Sequence, residues 1–174
     1  MCIWIDPPGG NKLATENPAE SRFAHQCMGL FSCFCQEPFS REALRTMTGL
    51  DTWYSFMKSH DRTALWDLLH PDAVFESPVV HAPQRGRDIT FKYLSSAEKV
   101  LGGPGFTYVG EWKSADGAVL EFKNVIDGIE INGVDIISFD TEGRITHFKV
   151  MVRPLKAINM LHRLMAEQLA AAQS

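Results

Sequence analysis

The sequence predicts an α+β domain in which helices pack on one face of a curved antiparallel sheet. Three observations carry this. Helical periodicity is confined to residues 52–101 and to the stretch after Pro154. Strand-like runs fill residues 106–153, punctuated by Asp-Gly and other Gly-bearing turns. The last hairpin puts a single acid, Asp135, into an apolar strand beside Val134, Ile136 and Ile137.

The elements follow in order. Thr52 to His60 reads as a helix, with Trp53, Phe56 and Met57 at i, i+3, i+4. Asp61 is the expected N-cap of a second helix, Arg62 to Leu69, which must end before Pro71. Ala73 to Glu76 is a short strand, and Ser77 to Gly86 is a loop carrying Pro78 and Pro83. Asp88 to Leu101 is a third helix, stopped by Gly102-Gly103-Pro104-Gly105. Strands are expected at Phe106–Ser114, Ala118–Ile126, Ile129–Phe139 and Arg144–Arg153. Asp116-Gly117, Asp127-Gly128 and Asp-Thr-Glu-Gly (140–143) turn the chain between them. Pro154 opens a closing helix whose apolar stripe is Leu155, Ile158, Leu161, Leu164, Met165 and Leu169.

Residues 1–46 do not share this regularity. Pro7-Pro8-Gly9-Gly10, Asn17-Pro18 and Pro38 break them up, and they read as a weakly ordered extension ahead of a domain at 47–174. All 4 cysteines lie there (Cys2, Cys27, Cys33 and Cys35), without zinc-ligand spacing, so reduced thiols are expected and no metal site.

Composition narrows the function. Hydrophobic residues make up 45% and charged residues 22% of the 174, ordinary values for one domain with a core. Net charge is −4 and basic residues do not cluster, which argues against a nucleic-acid partner. No apolar run approaches the roughly 20 residues of a membrane helix, and the start lacks a basic leader. A cytoplasmic protein with no membrane partner is the expectation. No phosphate loop, HExxH or GxSxG occurs, so no cofactor is expected.

Residues 50–164 resemble the nuclear transport factor 2-like superfamily, whose members include SnoaL-like cyclases and ketosteroid isomerases. The carrying motifs are AVFESPVVHAPQRGRDI (73–89), VLEF (119–122) and GVDIISFDTEGRITHFKVMV (133–152). The resemblance implies a cystatin-like cone: a curved antiparallel sheet wrapped around helices, with an apolar pocket. It also implies a small apolar molecule as ligand or substrate and a homodimer formed through the outer sheet face. By the same resemblance, Asp135 takes the place of an aspartic acid that stays protonated and donates to a developing oxyanion. The isomerase's base stands before a proline, and here that place is Ser77, which cannot serve as a base unaided. The isomerase's helix-borne tyrosine falls at Trp53, with Tyr54 one step, roughly 100°, round the helix. Classical steroid isomerisation is therefore not expected. The expected activity is an isomerase, cyclase or hydrolase reaction on an apolar carbonyl, enol or epoxide; the alternative is a ligand-binding or scaffold module of the same fold.

The candidate catalytic residues are Asp135 and His81, the only imidazole in the Ser77–Gly86 loop. The candidate ligand contacts are Trp53, Tyr54, Ser77, Phe122, Asn124, Ile137 and Phe148. Ile137 shares a strand face with Asp135, and Asn124 shares one with Leu120 and Phe122. Phe148, Val150 and Val152 should face the pocket, and His147, Lys149 and Met151 the outside. Structural readings compete: Trp53 and Tyr54 as core, His81 as a solvated loop residue, and Asn124 as a partner of the strand that carries Asp135.

Overall fold

In the computed structural model, residues 41–171 are described, with side chains from residue 49 onward; of the expected extension at 1–46, residues 1–40 lie outside them and residues 41–46 are helical rather than weakly ordered. Four helices and six strands follow in the order α1 (Arg41–Ser59), α2 (Arg62–Leu68), β1 (Leu69–Glu76), β2 (Gln84–Arg85), α3 (Arg87–Leu101), β3 (Thr107–Lys113), β4 (Gly117–Ile126), β5 (Ile129–Phe139), β6 (Ile145–Arg153) and α4 (Leu155–Ala171). The first helix starts eleven residues before the expected Thr52, at Arg41. The first strand starts four residues before the expected Ala73, at Leu69. No helix among the described residues is long and apolar enough to cross a membrane.

The caps follow the local chemistry. Asp61 accepts from the Thr63 N–H at 2.9 Å and starts α2. Asp140 accepts from the backbone of Glu142 and Arg144, and Gly143 adopts φ 81°, which closes the β5–β6 turn. These turn contacts fix which residues of β5 and β6 face inward.

The strands order as β2-β1-β6-β5-β4-β3. The β3–β6 meander is antiparallel, but β1 runs parallel to β6, with Phe75 opposite Phe148 and Glu76 opposite Lys149. A parallel pair needs a crossover, and α3 with the meander supplies one. Between Tyr108 and Gly110 the β3 register shifts, so Tyr108 opposes Phe122 while Glu111 opposes Leu120. Opposed residues share a face, so this bulge turns both Tyr108 and Glu111 inward.

Helices cover that inner face. Leu50, Trp53 and Phe56 of α1 pack with Phe75, Leu120, Ile137, Phe139 and Phe148. Ala157, Met160 and Leu161 of α4 pack with Phe122 and Ile131. On the outer face, Glu76 meets Lys149 at 3.1 Å, and His147 at 2.7 Å in a contact off the line of a good hydrogen bond. Lys149 first, then His147, hold the Glu76 carboxyl below its usual range. Neighbouring Ser77 faces the inside, as strand parity requires.

Candidate functional site

An apolar cavity of about 200 Å³ lies between the inner sheet face and helices α1, α3 and α4. The sheet contributes Phe75, Tyr108, Phe122, Asp135, Phe148, Val150 and Val152. Trp53 and Met57 come from α1, and Ser77 to Val80 from the loop after β1. Tyr93, Ala97 and Glu98 on α3, with Leu161, His162 and Met165 on α4, are among the other lining residues.

Asp135 is the polar centre of this wall and is only 6% exposed. Its Oδ2 accepts from the Tyr108 hydroxyl at 2.9 Å. The Tyr108 oxygen in turn accepts from Trp53 Nε1 at 3.0 Å. An indole nitrogen can only donate, so the Tyr108 proton is directed to Asp135. Oδ2 is thus engaged by Tyr108, and Asp135 lines the cavity. Burial pushes the Asp135 carboxyl up from 3.8 to about 7, against the lowering effect of the Tyr108 bond. Near neutral pH it is therefore a carboxylic acid for much of the time and can donate a proton or a hydrogen bond. The Tyr108 phenol is raised well above its usual value, first by burial and then by the charge of Asp135, so it stays protonated.

The expected site residues divide. Trp53, Ser77, Phe122, Asp135 and Phe148 line the cavity. Phe148 sits 4.9 Å from the Trp53 ring, and Phe122 stacks on Phe106 at 5.3 Å. Ser77 Oγ accepts from the N–H groups of Val79 and Val80, at 3.1 and 3.4 Å, and so shapes its loop.

Four expected residues lie elsewhere. His81 is exposed and does not line the cavity; Val79 and Val80 take the inward positions of that loop. Tyr54 turns away from Trp53, packs edge-on against Tyr108 at 5.6 Å, and donates its hydroxyl to Glu111. Asn124 is inward and buried, but its amide donates to the Leu101 carbonyl at 2.8 Å and so satisfies the end of α3. Ile137 shares the face of Asp135 but packs in the core farther along β5, where α1 fills the space over Phe139. Four lining residues with polar groups were missed by the sequence reading: Tyr93, Glu98, Tyr108 and His162. Tyr108 could have been found from its spacing of two from Phe106 and its place opposite Phe122. Among the described residues no group of three or more His, Cys, Asp or Glu is placed to hold a metal ion.

Comparison with known proteins agrees with this architecture. The family model for the SnoaL-like domain matches residues 50–148. A steroid delta-isomerase from Pseudomonas aeruginosa is 33% identical, with a TM-score of 0.71 over 78% of this chain and 97% of that one. A conserved bacterial protein with a cystatin-like fold from Silicibacter pomeroyi DSS-3 is 24% identical, with a TM-score of 0.64 over 69% and 84% of the two chains. An NTF2-like protein from Mesorhizobium loti is 22% identical, with a TM-score of 0.57 over 68% and 98%. The last two show the fold alone. No curated protein matches the chain.

Proposed function

The chain belongs to the SnoaL-like domain family, and from that premise we propose that it binds a small apolar molecule by one oxygen and rearranges it by acid catalysis. The substrate class is a carbonyl, enol or epoxide compound, and the reaction is of the isomerase, cyclase or hydrolase type. One observation carries this: Asp135 is buried in the wall of an apolar cavity, bonded to Tyr108, which Trp53 holds in turn, and burial raises its carboxyl toward neutral pH. A neutral carboxyl aimed at a ligand oxygen stabilises negative charge that develops there, and it costs no reorganisation. The similarity to a steroid delta-isomerase supports this class of chemistry.

A second reading is favoured by Ser77, which stands in the base's place with its oxygen already used by two backbone N–H groups. On that reading the cavity binds without chemistry. Turnover of a panel of unsaturated ketones and terpene epoxides, followed by absorbance and chromatography, separates the two. The catalytic reading expects Asp135→Asn and Asp135→Ala to lose about 100-fold or more in rate while remaining folded. Unchanged turnover in both variants removes Asp135 from the mechanism. Saturable binding with no turnover of any compound establishes the second reading.

The outer sheet face supports a homodimer. Trp112 (58% exposed) and Met151 (55%) project from it together with Val109 and Val125, an apolar surface that a second copy would cover. Sedimentation of the wild type and Trp112→Glu checks this: a dimer is expected to become a monomer, and a monomeric wild type overturns it.

A further inference from the structure

The helix α3 brings a second carboxylate to the cavity. Tyr93, Leu94, Ala97, Glu98 and Leu101 line it, the i, i+1, i+4, i+5, i+8 spacing of one helix face. The Glu98 side chain is only 18% exposed. His60 holds it: the imidazole Nδ1 lies 2.6 Å from Glu98 Oε1. His60 is the residue just past α1 and adopts φ 56°, a left-handed conformation uncommon for a non-glycine residue. Its N–H still bonds the Phe56 carbonyl at 2.8 Å, so the turn that ends α1 also sets the imidazole against α3.

The cavity therefore has two acidic positions on different layers. Asp135 stands on the sheet with its Tyr108 partner, and Glu98 stands on the helix layer with its His60 partner. Most of the remaining wall is apolar, with Phe106, Val150 and Leu161 among its residues. A buried acceptor penalises any apolar group set against it and rewards a donor. His60 occupies Oε1 of Glu98, so a ligand donor would have to meet Oε2.

We propose that Glu98 is a specificity-determining residue: the ligand is two-ended, with an oxygen at Asp135, an apolar body, and a hydroxyl that donates to Glu98. His60 is the positioning residue. This rests on the reading of Asp135 as the oxygen site.

A chemical ruler tests it. The probes are 4-alkylphenols and the matching 4-(ω-hydroxyalkyl)phenols, with chains of two to ten carbons, and calorimetry measures each affinity. The phenol occupies Asp135. At the chain length that spans the two carboxyls, the terminal hydroxyl is expected to tighten binding about tenfold over the plain alkyl chain, and at other lengths to weaken it. Glu98→Ala abolishes that gain and binds the plain alkylphenol of that length at least as tightly as the wild type does, while Glu98→Gln and His60→Ala reduce the gain. Thermal melts of the three variants verify folding, and any one folded variant suffices for the comparison. A hydroxyl that never helps, or a gain that survives Glu98→Ala, overturns the inference while leaving the Asp135 site intact. Failure of every alkylphenol to bind the wild type overturns the underlying reading instead.

Discussion

Replacing Asp135 with asparagine should change how stability depends on pH, because the carboxyl is raised from 3.8 to about 7 in the fold. Over that interval the folded protein keeps a proton that the unfolded chain releases. Unfolding then frees a proton, and rising pH favours unfolding. The stabilising contribution is fully present below about pH 4 and is lost as pH rises toward and through 7. At roughly 1.4 kcal/mol per pH unit, the loss amounts to at most about 4 kcal/mol. Asparagine has nearly the same shape, and its carbonyl can still accept from Tyr108. It does not titrate. Glu76 and Glu111, held low by Lys149 and Lys113 respectively, lose stability in the opposite direction on acidification, but they are common to both proteins and cancel in the difference. Urea unfolding of both proteins between pH 4.5 and 8.5, followed by tryptophan fluorescence, yields that difference. Over that range the variant should gain on the wild type by up to about 3 kcal/mol, mostly between pH 5 and 7. A difference flat to within about 0.5 kcal/mol would refute a raised Asp135.

Further predictions concern its neighbours. Tyr108→Phe removes the donor to Asp135 and the acceptor of Trp53. It should cost about 1–3 kcal/mol in urea unfolding and move the Asp135 carboxyl higher still, readable by carbon-13 NMR. Asn124→Ala leaves the Leu101 carbonyl without its donor. It should cost about 1–3 kcal/mol yet leave alkylphenol affinity unchanged, since Asn124 does not line the cavity. A Cβ at Gly133 would come within 2.4 Å of Phe122 Cζ and 2.7 Å of the Met151 carbonyl. Gly133→Ala should therefore destabilise by about 1–3 kcal/mol and weaken binding, because Phe122 forms part of the wall.

Much of the fold was legible because its signals are local. Asp61, the Asp-Gly turns and the alternation along β4 to β6 each act over a few residues. The parallel pairing of β1 with β6 was not legible, since about 70 residues separate the partners and no local pattern encodes it. Site residues followed the same division. Alternation correctly turned Asp135, Ile137 and Asn124 inward, but it carries no information on position along a strand. Ile137 fell under α1, and Asn124 under the end of α3. Tyr108 was within reach of the pattern, two residues from Phe106, but the bulge that follows it breaks the alternation along the rest of β3. His81 misled because a loop can turn its imidazole either way, and here it faces solvent.

The central claim is that Asp135 receives the oxygen of an apolar ligand. Calorimetry with 4-alkylphenols, which present an enol-like hydroxyl, tests it most directly when wild type, Asp135→Ala and His81→Ala are compared. Saturable binding is expected in the wild type and in His81→Ala, and at least about tenfold weaker binding in Asp135→Ala. Equal affinity in all three proteins would contradict the account.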